Sequence, residues 1–258
     1  MIKLTYKIFV GLPRKIYFYS LKFYREILLP QFPNILRLSS YPYISGDSFR
    51  KFSDHVLDEG KEINIKKIKK GDIVFVQSDF IDEYFMKYNS NISEEHILIT
   101  QNHFYPISEE YIKKIGDNLL CWFAQNLDIK NETEKLKAIP LGIENIRDYK
   151  NGVTSHFESK EIKANINSKP NLVLSSFAPH TNIEKRGNIA EIVKNINYID
   201  ISVSPNHKEY VRNLSSYKFN ICPSGAGIDT HRFWESLIVK TIPIVLRNNV
   251  ITHFLNHK

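Results

Sequence analysis

The sequence predicts an α/β protein made of two parallel-sheet units, and three observations predict it. After residue 70, short β-branched apolar runs alternate with segments of helical periodicity. A polar stretch at 147–170 interrupts that alternation, which then restarts. The second series closes on a strand, a glycine loop and a helix, "FNICPSGAGIDTHRFWESLIVKTIPIV" at 219–245. Strands separated by helices favour parallel pairing, because a parallel neighbour needs a crossover long enough to hold a helix. The 258 residues suffice for two modest units. We divide them into an N-terminal unit at 1–150, a linker at 151–170 and a short C-terminal unit at 171–258.

The elements follow in order. "DIVFVQS" at 72–78 and "HILITQN" at 96–102 read as buried strands, as do "NLLCWFAQN" at 118–126 and "LKAIPLGI" at 136–143. Between the first two, 79–90 has helical periodicity, and 107–116 repeats it with Ser108 as N-cap. In the second series, strands are expected at 171–178, 198–203, 218–223 and 241–246. Helices are expected at 184–196, 207–217 and 230–240, with Gly187 weakening the start of the first. This second series reads as a small doubly wound unit. Two such units facing across a cleft are one way to build a ligand site.

Composition narrows the function classes. A chain 42% hydrophobic and 24% charged is an ordinary globular protein with a sizeable core. Its two cysteines, Cys121 and Cys222, make no disulfide framework, and no Cys-x-x-Cys or Cys/His cluster suggests zinc. The sequons at Asn91, Asn131 and Asn213 are what chance provides in an Asn-rich chain. The net charge of +7 favours anionic partners. Lysines crowd "INIKKIKKG" at 63–71, which reads first as a solvated face. The first thirty-odd residues interleave Lys3, Lys7, Arg14, Lys15, Lys22 and Arg25 with Phe and Tyr. They lack the apolar core of a signal peptide and carry too many charges to span a bilayer. A basic aromatic helix of this kind can lie on an anionic membrane surface; the alternative is a helix packed on its own domain.

The glycine loop carries the chemistry. Open α/β sheets bind ligands beyond the carboxyl ends of their strands, where "PSGAGIDTHR" sits. Gly225 and Gly227 let backbone approach a ligand. The helix beginning near Thr230 offers unpaired N–H groups and a positive dipole end, which favour an anion such as phosphate. Arg232 adds a planar cation suited to phosphate, and Glu235 lies one helical turn further on, where a carboxylate can accept sugar hydroxyls. The loop is neither G-x-G-x-x-G nor a Walker A sequence. Without a ligand role, Asp229 would be an N-cap, Glu235 a surface residue and the glycines a turn.

The stretch "YKFNICPSGAGIDTHRFWESLIVKTIPIV" resembles the donor-site signature of exostosin-like glycosyltransferases and their bacterial relatives. Phe219, Pro223, Gly225, Gly227, Asp229, Arg232, Trp234, Glu235 and Pro243 stand at the matching places. "SSFAPHTNIEKRGNI" is similar to the family's first donor-domain strand and the Arg that follows it, here Arg186. "CWFAQN" and "IPLGIEN" look like pieces of the N-terminal half of bacterial members. The resemblance implies a GT-B fold of two Rossmann-like domains with parallel sheets, the nucleotide-sugar donor lying on the C-terminal one. It also implies that Arg232 and Arg186 hold the diphosphate, that Glu235 holds the ribose, and that Asp229 positions the loop or touches the sugar. The chain departs from the family pattern in ending soon after "PIVLRNN" and in having Val239-Lys240 where a small residue is common.

No Asp-x-Asp pair occurs, so the expected mechanism uses no metal and no cofactor beyond the nucleotide-sugar substrate. A general base is sought in the N-terminal unit, where Asp47 in a glycine-led loop and His103 past a strand end are the candidates. Asn102, Asn126 and Glu144 share strand-end positions suited to an acceptor. The expected partners are a nucleotide-sugar donor, a glycan or lipid-linked acceptor and an anionic membrane surface, with no nucleic acid. The expected location is cytoplasmic, peripheral at the inner membrane face. Two rivals stay open: a non-catalytic nucleotide-binding relative, and a basic protein that binds membrane or nucleic acid.

Overall fold

A computed structural model describes residues 37–59, 62–146, 151–158, 162 and 165–255, and every element named below belongs to the unit Ser39–Lys258. The basic aromatic N-terminal segment at 1–36 lies outside the described residues. Two separate, wholly parallel sheets form, of five and four strands, in keeping with the α/β class the alternation predicts.

The first sheet comprises β1 (His55–Leu57), β2 (Ile73–Gln77), β3 (His96–Gln101), β4 (Leu119–Ala124) and β5 (Leu136–Ala138), side by side in chain order. Parallel crossovers are right-handed, so successive steps in one direction put the connections on one face. That face holds the main core. Val74, Val76, Leu98 and Trp122 pack beneath Ile81, Tyr84, Ile92 and Ile107 of the connections. Phe75 and Ile99 on the other face meet Phe49 of α1 (Gly46–Phe52). No strand among the described residues inserts on the far side of β1, so this sheet shows no reversal of strand order.

The expected helix at 79–90 forms as a broken series instead: a 3-10 turn, a short α turn at Ile81–Glu83, a π turn at Tyr84–Tyr88 and a further 3-10 turn. Tyr84 is fully buried, and its hydroxyl meets His96 Nε2 at 2.5 Å, so side-chain burial overrides regular winding. The segment Glu109–Lys114 is a 3-10 helix. The Ser108 hydroxyl does not cap it but donates to Glu110. β1 and α1 were not expected. β1 is only three residues long, and α1 opens on glycine, its cap supplied by Ser45 accepting from the Ser48 amide. In the lysine run Ile63 and Ile68 are buried while Lys66, Lys67, Lys69 and Lys70 are exposed, which is the solvated-face reading.

The second sheet, β6 (Asn171–Ser175), β7 (Ile199–Ile201), β8 (Tyr217–Ile221) and β9 (Ile242–Ile244), is ordered β7-β6-β8-β9. The chain steps one way from β6 to β7, then crosses back past β6 to β8. This reversal makes it doubly wound and opens a crevice between the ends of β6 and β8. Helices α2 (Ile183–Lys194), α3 (His207–Ser215) and α4 (His231–Ile238) connect its strands. Asn182 and Asn206 cap α2 and α3 by accepting amide hydrogens of Lys185 and Glu209. The last helix, α5 (Asn249–Leu255), was not expected; it lies against β5, and Asn249 donates to Asp128 at 2.9 Å. The polar stretch before β6 is also structural, because its Phe157 and Ile162 are buried with Leu174, Val211 and Tyr217.

Trp122 is completely buried and donates to Thr100 Oγ1 at 2.9 Å. Replacing it with Ala should lower unfolding free energy by about 4 kcal/mol through the cavity and the lost bond. Urea denaturation checks this; a loss below about 1 kcal/mol would mean that the first sheet's core is not organised around this ring.

Candidate functional site

The strand ends of both sheets line one cleft of about 860 Å³. On the first-sheet side, an asparagine with positive φ follows within two residues of the end of β3 and of β4, 71° at Asn102 and 55° at Asn126. Asn tolerates the left-handed region because its short amide can bond locally. Asn102 belongs to a closed set of contacts: its amide donates to Asp47 Oδ1 at 3.3 Å, Asn145 donates to it at 2.7 Å, and the Asp47 amide donates back to Asn145 Oδ1 at 2.7 Å. Asn102, Asn126 and Glu144 all line the cleft, as expected of strand-end residues.

The two base candidates separate here. Asp47 is only 1% exposed, sits in that asparagine network and is not among the cleft-lining residues. His103 lines the cleft, with its Nδ1 2.6 Å from Asp79 Oδ1, an ion-pair distance without hydrogen-bond alignment. The rings of Phe104 and Tyr105 stack on His103, with centroids 3.9 and 4.6 Å away. Asp79 escaped the sequence reading because it follows β2 without any distinguishing motif.

The second-sheet side carries the charge. Arg232 donates from Nη2 to Ser176 O at 3.0 Å, lies over the Tyr210 ring, and its buried Nε has no hydrogen-bond partner among the described residues. It stands in the first turn of α4, whose N-cap, Thr230, caps no amide with its side chain. Glu235, one turn on, is 4% exposed and lines the same cleft. Burial pushes its carboxyl up, but His207 foremost, then His231 and Arg232, outweigh that and hold it below the ordinary range.

Arg186 also lines the cleft, yet its guanidinium is largely spent on the loop. Nε donates to Ser224 O and Nη2 to Pro223 O, each at 3.0 Å, while Nη1 bonds Ala178 O and Thr181 Oγ1. Burial, and then the neighbouring charge of Arg232, lower its pKa to about 10, so it stays a cation at neutral pH. Its first role is to anchor the glycine loop. The same contact explains Gly225, where a Cβ would come within 2.7 Å of Arg186 Nη2. At Gly227 a Cβ would come within 2.9 Å of Asn126 Nδ2. Neither glycine has a positive φ, and the Gly225 amide is already bonded to Gly227 O. Close packing therefore requires these glycines, rather than the exposure of amides that their sequence suggests.

Asp229 is likewise not the N-cap. Its carboxylate accepts from the amides of Leu141 and Thr230 and from Trp234 Nε1, and its own amide donates to Asn126. It ties the glycine loop to the segment after β5. Ser176, His207 and Tyr210, all lining the cleft, were missed. Ser176 directly follows β6 and His207 opens α3, so strand and helix ends were the available signals. Of the buried side-chain polar atoms that lack a hydrogen-bond partner among the described residues, those of His103, Gln125, Asn126, Ser176, His207, Tyr210 and Arg232 belong to this one cleft. Buried polar groups are otherwise paired, so their concentration marks a place built for a polar ligand. Among the described residues no three His, Cys, Asp or Glu side chains gather to hold a metal ion.

No protein-family model matches the chain, and no curated protein matches it.

Burial raises the Asp229 pKa from 3.8 to about 6, more than its hydrogen bonds lower it. A carboxyl raised in the folded state contributes stability that is full below its unfolded pKa and is lost as pH rises through about 6. Acidifying the parent from about pH 7 to about pH 5 should therefore add about 1 kcal/mol relative to Asp229→Asn. Paired urea titrations test this; equal pH responses in the two proteins would show that Asp229 is not the buried titrating tie described.

Proposed function

We propose that this chain is a glycosyltransferase of the GT-B type, similar to exostosin-like enzymes. It moves a sugar from a nucleotide diphosphate sugar to a hydroxyl of a cell-envelope glycan. The observation that carries this reading is the meeting of Arg232, the start of α4 and Glu235 on one cleft wall beside the strand-order reversal. The Arg232 guanidinium, with an unbonded Nε, suits an anionic ligand such as a diphosphate, and the loop-bound Arg186 adds positive charge beside it. A buried, ionised carboxylate one turn away suits the hydroxyls of a ribose.

In this reading the acceptor hydroxyl loses its proton to His103 as its oxygen attacks the anomeric carbon and the bond to the diphosphate breaks. Asp79 beside Nδ1 leaves Nε2 as the base nitrogen. The electron pair of the broken bond ends on the diphosphate, where Arg232 and the amides of α4 stabilise it. The test is nucleotide release from a panel of nucleotide sugars, run in EDTA. We expect release from one donor class, reduced about a hundredfold in Arg232→Ala, which is about 3 kcal/mol of lost leaving-group stabilisation. Undiminished release by a folded Arg232→Ala protein would remove the diphosphate role, and dependence on added manganese or magnesium would overturn the metal-free mechanism.

The acceptor class and a place at the inner membrane face belong to the same proposal. Among the described residues no helix is long and apolar enough to cross a membrane. The support for peripheral contact is the charge and aromatic content of residues 1–36. Binding to anionic vesicles should weaken with salt without vanishing and be lost when those residues are deleted. Indifference of the intact protein to such vesicles at low salt would remove the membrane contact.

A further inference from the structure

We infer that His156, which does not line the cleft, sets the tautomer of His207 and through it positions the Glu235 carboxylate for ligand. This rests on the reading of Glu235 as a ligand-binding carboxylate. His156 lies in a 3-10 turn, Thr154–Phe157, and its Nδ1 meets His207 Nδ1 at 2.9 Å. A contact between two ring nitrogens needs one donor and one acceptor. The other nitrogen of His207, Nε2, is 3.5 Å from Glu235 Oε1, an ion-pair distance without hydrogen-bond alignment, with side-chain exposures of 4% and 6%.

That second contact decides the direction of the first. If neutral His207 donated from Nδ1, its Nε2 lone pair would face a carboxylate where little water can intervene, and two electron-rich groups would repel. With the hydrogen on Nε2, His207 presents N–H to Glu235 and must accept at Nδ1. His156 must then be the donor, carrying its hydrogen on Nδ1, the less common form of a free histidine. Phe157 packs edge-on to the His207 ring at 5.5 Å, so the ring is held between its partners. The charged and titratable neighbours fit. Burial is the largest cause lowering the His156 pKa, favouring the neutral ring, while His231 and Arg232 set positive charge near Glu235. Glu235 Oε1 thereby faces the His207 N–H, and the buried Tyr210 hydroxyl is a further group that bears on this carboxylate.

The experiment uses the full chain labelled with ¹⁵N. Long-range ring correlations at about pH 8 report each histidine's tautomer. We expect His156 with hydrogen on Nδ1 and His207 with hydrogen on Nε2; finding His156 with hydrogen on Nε2 overturns the inference. In parallel, UDP and GDP are titrated into the parent, His156→Phe, Glu235→Gln and the double variant. We expect His156→Phe to weaken whichever nucleotide binds by about tenfold, and to do nothing further once Glu235 is Gln. Unchanged affinity in a folded His156→Phe protein overturns the positioning role. Should neither nucleotide bind the parent, the proposed function is what fails, and the tautomers still decide the wiring of the pair.

Discussion

The Asp229 carboxylate, 2% exposed, accepts hydrogen bonds from the amide of Leu141 just beyond the first sheet, from the amide of Thr230 at the head of α4, and from the Trp234 ring. A carboxylate so removed from water is costly unless donors surround it, and here the donors come from both sides of the cleft. The glycine loop cannot shift without stripping this group of partners. The positions of Arg232 and Glu235 follow, because both stand on the helix that Asp229 introduces. Arg186 secures the same loop from its other flank through the carbonyls of Pro223 and Ser224.

Two buried ionic groups thus hold the loop while a third charge, Arg232, is left with an unbonded nitrogen. The division is chemically sensible. An arginine whose bonds are spent on backbone carbonyls makes a rigid frame but a poor ligand partner, whereas one bonded among the described residues to Ser176 O, with Nε unpartnered, keeps bonding capacity for an anion. The glycines belong to the frame. Their missing side chains make room for Arg186 and for Asn126, so the loop is narrow because protein groups press on it.

The opposite wall is built with different means. Asn102 and Asn126 turn the chain sharply at two neighbouring strand ends, and their side chains bond to Asp47, Asn145 and Asp229. This brings His103, with Asp79 beside it, to the cleft wall, and Asp47 is not among the lining residues. A buried aspartate bonded to asparagines serves the shape of the wall, and a histidine lining the cleft stays within reach of a ligand.

The sequence by itself determined the α/β class, the parallel sheets and most strands, because short β-branched runs and turn signals report local burial and local backbone preference. It also put Arg232 and Glu235 on one side of one helix, since they stand one turn apart after the glycine loop, and both line the cleft. It did not reveal the sequential order of the first sheet, which depends on which strands meet in space, nor the broken winding around Tyr84, which tertiary burial imposes. The division of labour between Arg186 and Arg232 was equally invisible, since both are arginines near a loop and only their bonding partners distinguish them. The contact of His156 with His207 joins residues 51 positions apart, and Asp229 meets Leu141 across 88. Such contacts leave no periodic trace in the chain, because they are fixed by the packing of two sheets and not by the geometry of any one element.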